Sequence, residues 1–85
     1  MTEIAQRAPN EPDLTDYDRA HLVTYLRLLD AEADGAPWED AARLVLRADV
    51  GRARDAARLQ YETHAARARW MSREGYLKVV AAARA

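Results

Sequence analysis

The chain has no cysteine and no phenylalanine, and only three glycines and three prolines among its 85 residues. Without thiols it can build neither a disulfide framework nor a thiolate metal cage. Three scattered glycines do not make a loop that cradles phosphate in backbone amides. Strand material is scarce: Ile and Val total six (Ile4, Val23, Val45, Val50, Val79 and Val80), and no stretch alternates apolar and polar residues around a hairpin turn. The longest apolar run, residues 79–83, is five residues long, where a membrane span needs about twenty. No basic-then-apolar signal pattern opens the chain, so a cytoplasmic location is expected.

Catalytic chemistry is equally thin. Ser72 is the only serine, and it has neither a nucleophile elbow nor a neighbouring histidine. His21 and His64 are far apart in sequence, and neither is followed by a histidine or carboxylate at helical ligand spacing. Both are expected to be buried or capping. The acidic pair Glu39 and Asp40 sits where a helix begins, which the helix dipole explains. So short a chain also leaves little room for a deep substrate pocket. No metal, no cofactor and no enzymatic activity are expected.

What the chain does have is alanine, nineteen times, with abundant Leu, Arg and Glu. These are strong helix formers, and the reading is an all-α fold whose small side chains let helices approach closely. Residues 1–13, with Pro9, Asn10 and Pro12, show no periodicity and are expected to form a mobile leader, with a single domain over 14–85. A first helix should start at Thr15, an N-cap with Asp16 and Asp18 in its first turn, and stop before Gly35. Its inner stripe is Leu22, Tyr25, Leu26 and Leu29, with Val23 and Leu28 on the flanks. A second helix should run from Pro37 to near Arg47, facing inward with Trp38, Ala41, Ala42 and Val45. After a connection over residues 48–51, with Asp49 as a cap, a third helix should span about 52–73 and stop before Gly75. Residues 76–84 read as a short last helix.

The third helix carries two apolar strips. Ala53, Ala57, Tyr61, His64, Ala68 and Met71 share one face, while Leu59, Ala66 and Trp70 share a nearly opposite one. The second strip is either covered by the chain's own ends or serves as a docking surface, and Trp is a favoured interface anchor. Charge is divided along the chain: residues 1–40 hold ten acids against three bases, and residues 41–85 hold four acids against ten bases. The arginines of the third helix either pair with carboxylates, as Arg58 and Glu62 can at four-residue spacing, or form a nucleic-acid surface. The formal net charge of −1 is not the footprint of an independent DNA binder.

Three runs carry a resemblance: YDRAHLVTYLRLLDA (17–31), GAPWEDAARLVL (35–46) and HAARARWMSREGYLKVV (64–80). The last, with His64, Arg67, Arg69, Trp70, Gly75 and Tyr76, is the most specific. Together they resemble a small proteobacterial domain family. It forms the C-terminal domain of FseA-type transcriptional activators of integrative and conjugative elements, and also occurs alone as the QseM-type antiactivator. The resemblance implies a helix-turn-helix variant with an extended turn between its second and third helices. In FseA-type proteins it implies a basic side that contacts DNA and an opposite side packed on an N-terminal domain. In QseM-type proteins it implies an acidic stand-alone copy that competes for that N-terminal domain, and inhibition of the TraR-type quorum-sensing regulator.

Only residues 1–13 precede the first helix, which favours the stand-alone form, a monomer acting through protein contact. The expected partner-binding residues are Leu28, Leu59, Trp70 and Tyr76, taken from the apolar pattern, with Arg67 as a charged contact. The alternative is a small DNA-binding regulator that sets Arg52, Arg54, Arg58 and Arg69 on phosphates. A homodimerising structural module is a third reading.

Overall fold

A computed structural model describes residues 3–75. The short last helix expected over 76–84, and Tyr76 with it, lies outside the described residues. Among them the chain is all-α, with four helices and no strand: α1 (Asp16–Ala20), α2 (Leu22–Ala33), α3 (Trp38–Val45) and α4 (Arg54–Trp70), the last running into a π-helical turn (Met71–Gly75). None of these helices is long and apolar enough to cross a membrane.

Thr15 caps α1 as its position predicts. Its hydroxyl accepts from the Asp18 amide, and the Asp18 carboxylate accepts from the Thr15 amide, a reciprocal capping box. The single first helix expected from the sequence is nevertheless two. At His21 the backbone leaves helical geometry (φ −117°, ψ 24°), and its amide is shared between the Tyr17 and Asp18 carbonyls, both at 3.1 Å. No proline or glycine marks the break. The buried His21 ring fills the corner, 4.1 Å from the Tyr17 ring centre.

α2 ends where Gly35 predicts. Gly35 takes φ 75°, its amide bonds Glu32 O, and the Ala36 amide bonds Ala31 O, each at 3.0 Å, the two bonds of a Schellman stop. The inner stripe of α2 needs one correction. Leu28, expected on the flank and as a partner anchor, is 1% exposed in the core, whereas Leu26, expected inside, is 61% exposed. Leu28 lies about 60° round the helix from Tyr25, and Leu26 lies about 100° from it on the other side. α2 packs on both α3 and α4, so its buried arc widens toward Leu28.

α3 begins at Trp38, with Pro37 as its N-cap, and buries Ala41 and Ala42, but it stops at Val45, two residues short of Arg47. Arg47 then adopts the left-handed region (φ 56°), and the Ala48 amide closes on Ala42 O at 3.0 Å. Leu46 and Val50 in the connection are buried. Asp49 accepts from the Arg52 amide at 3.1 Å, and α4 starts at Arg54. Alanine is packed where the helices meet: Ala42 and Ala57 share a cluster with Val50, and Ala68 shares another with Tyr25 and Met71.

The leader has no secondary structure, in keeping with its prolines, yet it is docked along α4 and not detached from it. Ile4 packs against the cluster of Leu28, Ala41 and Leu46. The Ala8 amide donates to Thr63 Oγ1, and Arg67 donates to the Glu11 and Asp13 carbonyls. Polar side chains of α4 that bond main-chain atoms make these contacts, which periodicity does not register.

Candidate functional site

The residues with the most distinctive chemistry converge on the interior. Asp18 of α1 and Arg67 of α4 form a bidentate pair, Nε to Oδ1 at 3.0 Å and an Nη to Oδ2 at 2.6 Å, both side chains almost wholly buried. Tyr25 of α2 donates to Oδ1 at 2.7 Å, and the Thr15 amide and hydroxyl donate to Oδ2. The remaining Arg67 donors meet main-chain carbonyls of the leader, and its guanidinium lies 3.9 Å from the Trp70 ring centre. Burial works to raise the Asp18 carboxyl, but the Arg67, Thr15 and Tyr25 hydrogen bonds outweigh it and hold it at about 2. Burial pushes the Tyr25 hydroxyl up, and the bond to Asp18 adds to the rise.

A second chain of bonds runs beside the first. Gln60 O can only accept, so His64 Nδ1, 2.6 Å away, carries the proton. His64 Nε2 is then free to accept from the Tyr17 hydroxyl at 2.6 Å, and that hydroxyl accepts from the Ala5 amide at 2.9 Å. Burial pushes the His64 imidazole down, and nearby His21 adds to this, against a raising effect of the Gln60 bond. His21 is buried too, and its Nε2 has no hydrogen-bond partner. The histidines thus serve the interior. Among the described residues no group of three or more His, Cys, Asp or Glu is placed to hold a metal ion.

These networks reassign two expected partner residues. Leu28 is core, and Arg67 is the buried half of an ion pair; neither presents its side chain outward. Leu59 and Trp70 are partly buried. Trp70 and Ala66 line a cleft of about 650 Å³ between α4 and leader residues 7–12, whereas Leu59 does not line it. Tyr76 lies outside the described residues.

The arginines proposed for phosphate contact are mostly spoken for. Arg54 meets Glu39 at 3.0 Å, Arg58 meets Glu62 at 2.8 Å, and Arg69 reaches Glu32 at 3.0 Å. Arg54 and Arg58 also lie over the Trp38 ring. The Arg52 side chain is exposed. What the surface does display is apolar: Val23 (62% exposed) and Leu26, three residues apart on the outer side of α2, and Leu44 (80%) on α3. Sequence reasoning missed this face because it assigned Leu26 to the core. Helical phase alone does not separate the two, since Leu22, Tyr25, Leu26 and Leu29 span about 100° of the helix and Leu22, Tyr25, Leu28 and Leu29 about 120°; packing on both α3 and α4 decides for Leu28.

No family model, curated protein or solved structure matches this chain.

Proposed function

We propose that this chain is an antiactivator. It binds a transcriptional activator of FseA type by protein–protein contact, with a TraR-type regulator as a second target, and represses excision and conjugative transfer of a mobile element. The resemblance of residues 17–31, 35–46 and 64–80 supports the reading. So does the order α3, an eight-residue connection over 46–53, and α4, which suits a helix-turn-helix variant with a lengthened turn, the usual turn being about three or four residues. His64, Arg67 and Tyr25 within those runs are interior residues, so the resemblance speaks for the fold, and the mode of action has to come from the surface.

One observation carries the mode of action. Three of the four arginines that DNA would need are paired with carboxylates, while Val23, Leu26 and Leu44 stand in solvent. A surface that neutralises its cations and exposes large aliphatic side chains suits a protein partner better than a phosphate backbone. The decoy replaces an interface internal to its target, and must outcompete a tethered domain whose effective concentration is about millimolar for a short linker.

DNA binding is the second reading. The pairs of Arg54, Arg58 and Arg69 are solvent-accessible. Exposed pairs are worth only about 0–1 kcal/mol, so phosphate could displace those carboxylates. An activator-dependent reporter separates the two. Co-expression of the chain should silence it, and Leu26→Asp should restore the signal without unfolding the protein. Silencing that survives Leu26→Asp and Val23→Asp but is lost with Arg52→Ala and Arg54→Ala would favour DNA.

A further inference from the structure

Ala5 of the leader is held at both its amide and its carbonyl by residues that bond one histidine. Its amide donates to the Tyr17 hydroxyl at 2.9 Å, and its carbonyl accepts from Gln60 Nε2 at 3.0 Å. The Tyr17 hydroxyl in turn donates to His64 Nε2, and the Gln60 carbonyl accepts from His64 Nδ1, each at 2.6 Å. These four residues close a ring of bonds between the leader, α1 and α4. Every donor in the ring has its acceptor only while the imidazole is neutral. A proton on Nε2 makes that nitrogen a donor, aimed at a hydroxyl that was donating to it. The hydroxyl hydrogen must then turn away, and its oxygen must serve both the imidazolium and the Ala5 amide.

The cation would also sit in a fully buried ring whose nitrogens meet a main-chain carbonyl and a phenol, not a carboxylate. The charges on the packed elements give no relief. His21, at the corner of α1 and α2, adds repulsion. Asp18 of α1 is engaged by Arg67 of α4, by Tyr25 of α2 and by Thr15. Glu3 and Arg7 of the leader are exposed. Water is left to solvate the charge, and the leader is the part that can move to admit it. It has no secondary structure, whereas the helices are fixed by three core clusters.

We infer that residues 4–8 are a pH-released strap, docked on α4 while His64 is neutral and freed as a local event when His64 takes a proton, with the four helices still folded. Burial and His21 hold the docked imidazole below its ordinary value, so the undocked form takes the proton first. Docking is therefore complete above about pH 6.5 and weakens as pH falls, the opening equilibrium growing about tenfold per pH unit until the docked form also titrates. Release uncovers the seat of Ile4 on the cluster of Leu28, Ala41 and Leu46. This goes beyond the antiactivator reading and does not depend on it.

The test is ¹⁵N NMR of the full chain over the range, about pH 5 to 7.5, in which histidine titrates. The Ala5 and Ala8 amides should move to free-chain positions with one shared midpoint, that of the His64 ring and not of the His21 ring. The Tyr25 and Ala68 amides should hold still. His64→Gln removes the titration and should keep both leader amides in place throughout. Gln60→Ala keeps the main-chain carbonyl that His64 Nδ1 uses but drops the side-chain bonds to Ala5 and Ile4. Losing such a bond weakens docking about fivefold, which should raise the midpoint by about 0.7 pH unit. This shift reads the same linkage should His64→Gln fail to fold. Leader amides that stay in place while the His64 ring titrates would overturn the strap, as would leader and core amides that move together. So would a leader transition that persists in His64→Gln, or one that does not shift in Gln60→Ala.

Discussion

Asp18 and Arg67 stand 49 residues apart in sequence and meet as a buried, fully bonded pair. Nothing in a periodic reading of the chain joins them, because helical phase sorts apolar from polar residues and says nothing about which buried charges face each other. Arg67 lay on neither apolar strip of its helix and was assigned outward, as a charged contact; a fully satisfied carboxylate is what lets it turn in. Deleting one partner leaves the other charged and unpaired in the interior, which costs about 3–5 kcal/mol. Asp18→Ala should therefore unfold most of the population, as urea denaturation followed by circular dichroism would report.

The pair also sets an acid limit. The folded carboxyl titrates near 2, below its ordinary 3.8. Its contribution, on the order of 1–2 kcal/mol, is complete above the ordinary value and is lost as pH falls through the folded one. His64 adds a limit at milder pH. Its folded value is depressed, so the unfolded chain binds a proton first, and stability should begin to fall as pH drops through about 6.5. Urea midpoints measured between pH 7 and 5 should decline in the parent and decline less in His64→Gln, which keeps one of the two bonding positions. A parent midpoint flat over that range would contradict the neutral, doubly bonded His64.

At the scale of elements, local chemistry marked several boundaries. Thr15 and Gly35 act at the ends of α1 and α2 as their residue types dictate. Two boundaries had no local signal. The break at His21 depends on a ring packing against Tyr17 across the corner, and the early stop of α3 depends on burying Leu46 and Val50 beyond it. That stop places Arg47, an exposed non-glycine residue, at φ 56°, a conformation that costs an L-residue about 1–2 kcal/mol. Arg47→Gly should therefore raise stability by about 0.5–1 kcal/mol, the gain being trimmed by the greater freedom of glycine in the unfolded chain. A neutral or destabilising result in thermal melts would mean that the Arg47 side chain contributes more than its backbone costs.

For the whole molecule, the all-α class was legible because nineteen alanines and six Ile and Val residues leave little else to build. The candidate site was legible only in part. Trp70 and Ala66 do line a cleft, but the exposed face of α2 and the docked leader depend on how three helices meet, which fixes the phase of every stripe. Opposite charges in the two halves suggested a basic surface; folding instead brings Glu32 to Arg69 and Glu39 to Arg54, so much of the imbalance is settled internally.

The central claim is that this surface is made for protein. Its most direct test is titration calorimetry of the full chain into the N-terminal domain of an activator, with duplex promoter DNA titrated in parallel at low and moderate salt. The account predicts saturable binding to the activator domain that Leu26→Asp abolishes, and at most weak, salt-sensitive heat with DNA. Tight binding to the duplex, with no heat from the activator domain, would contradict it.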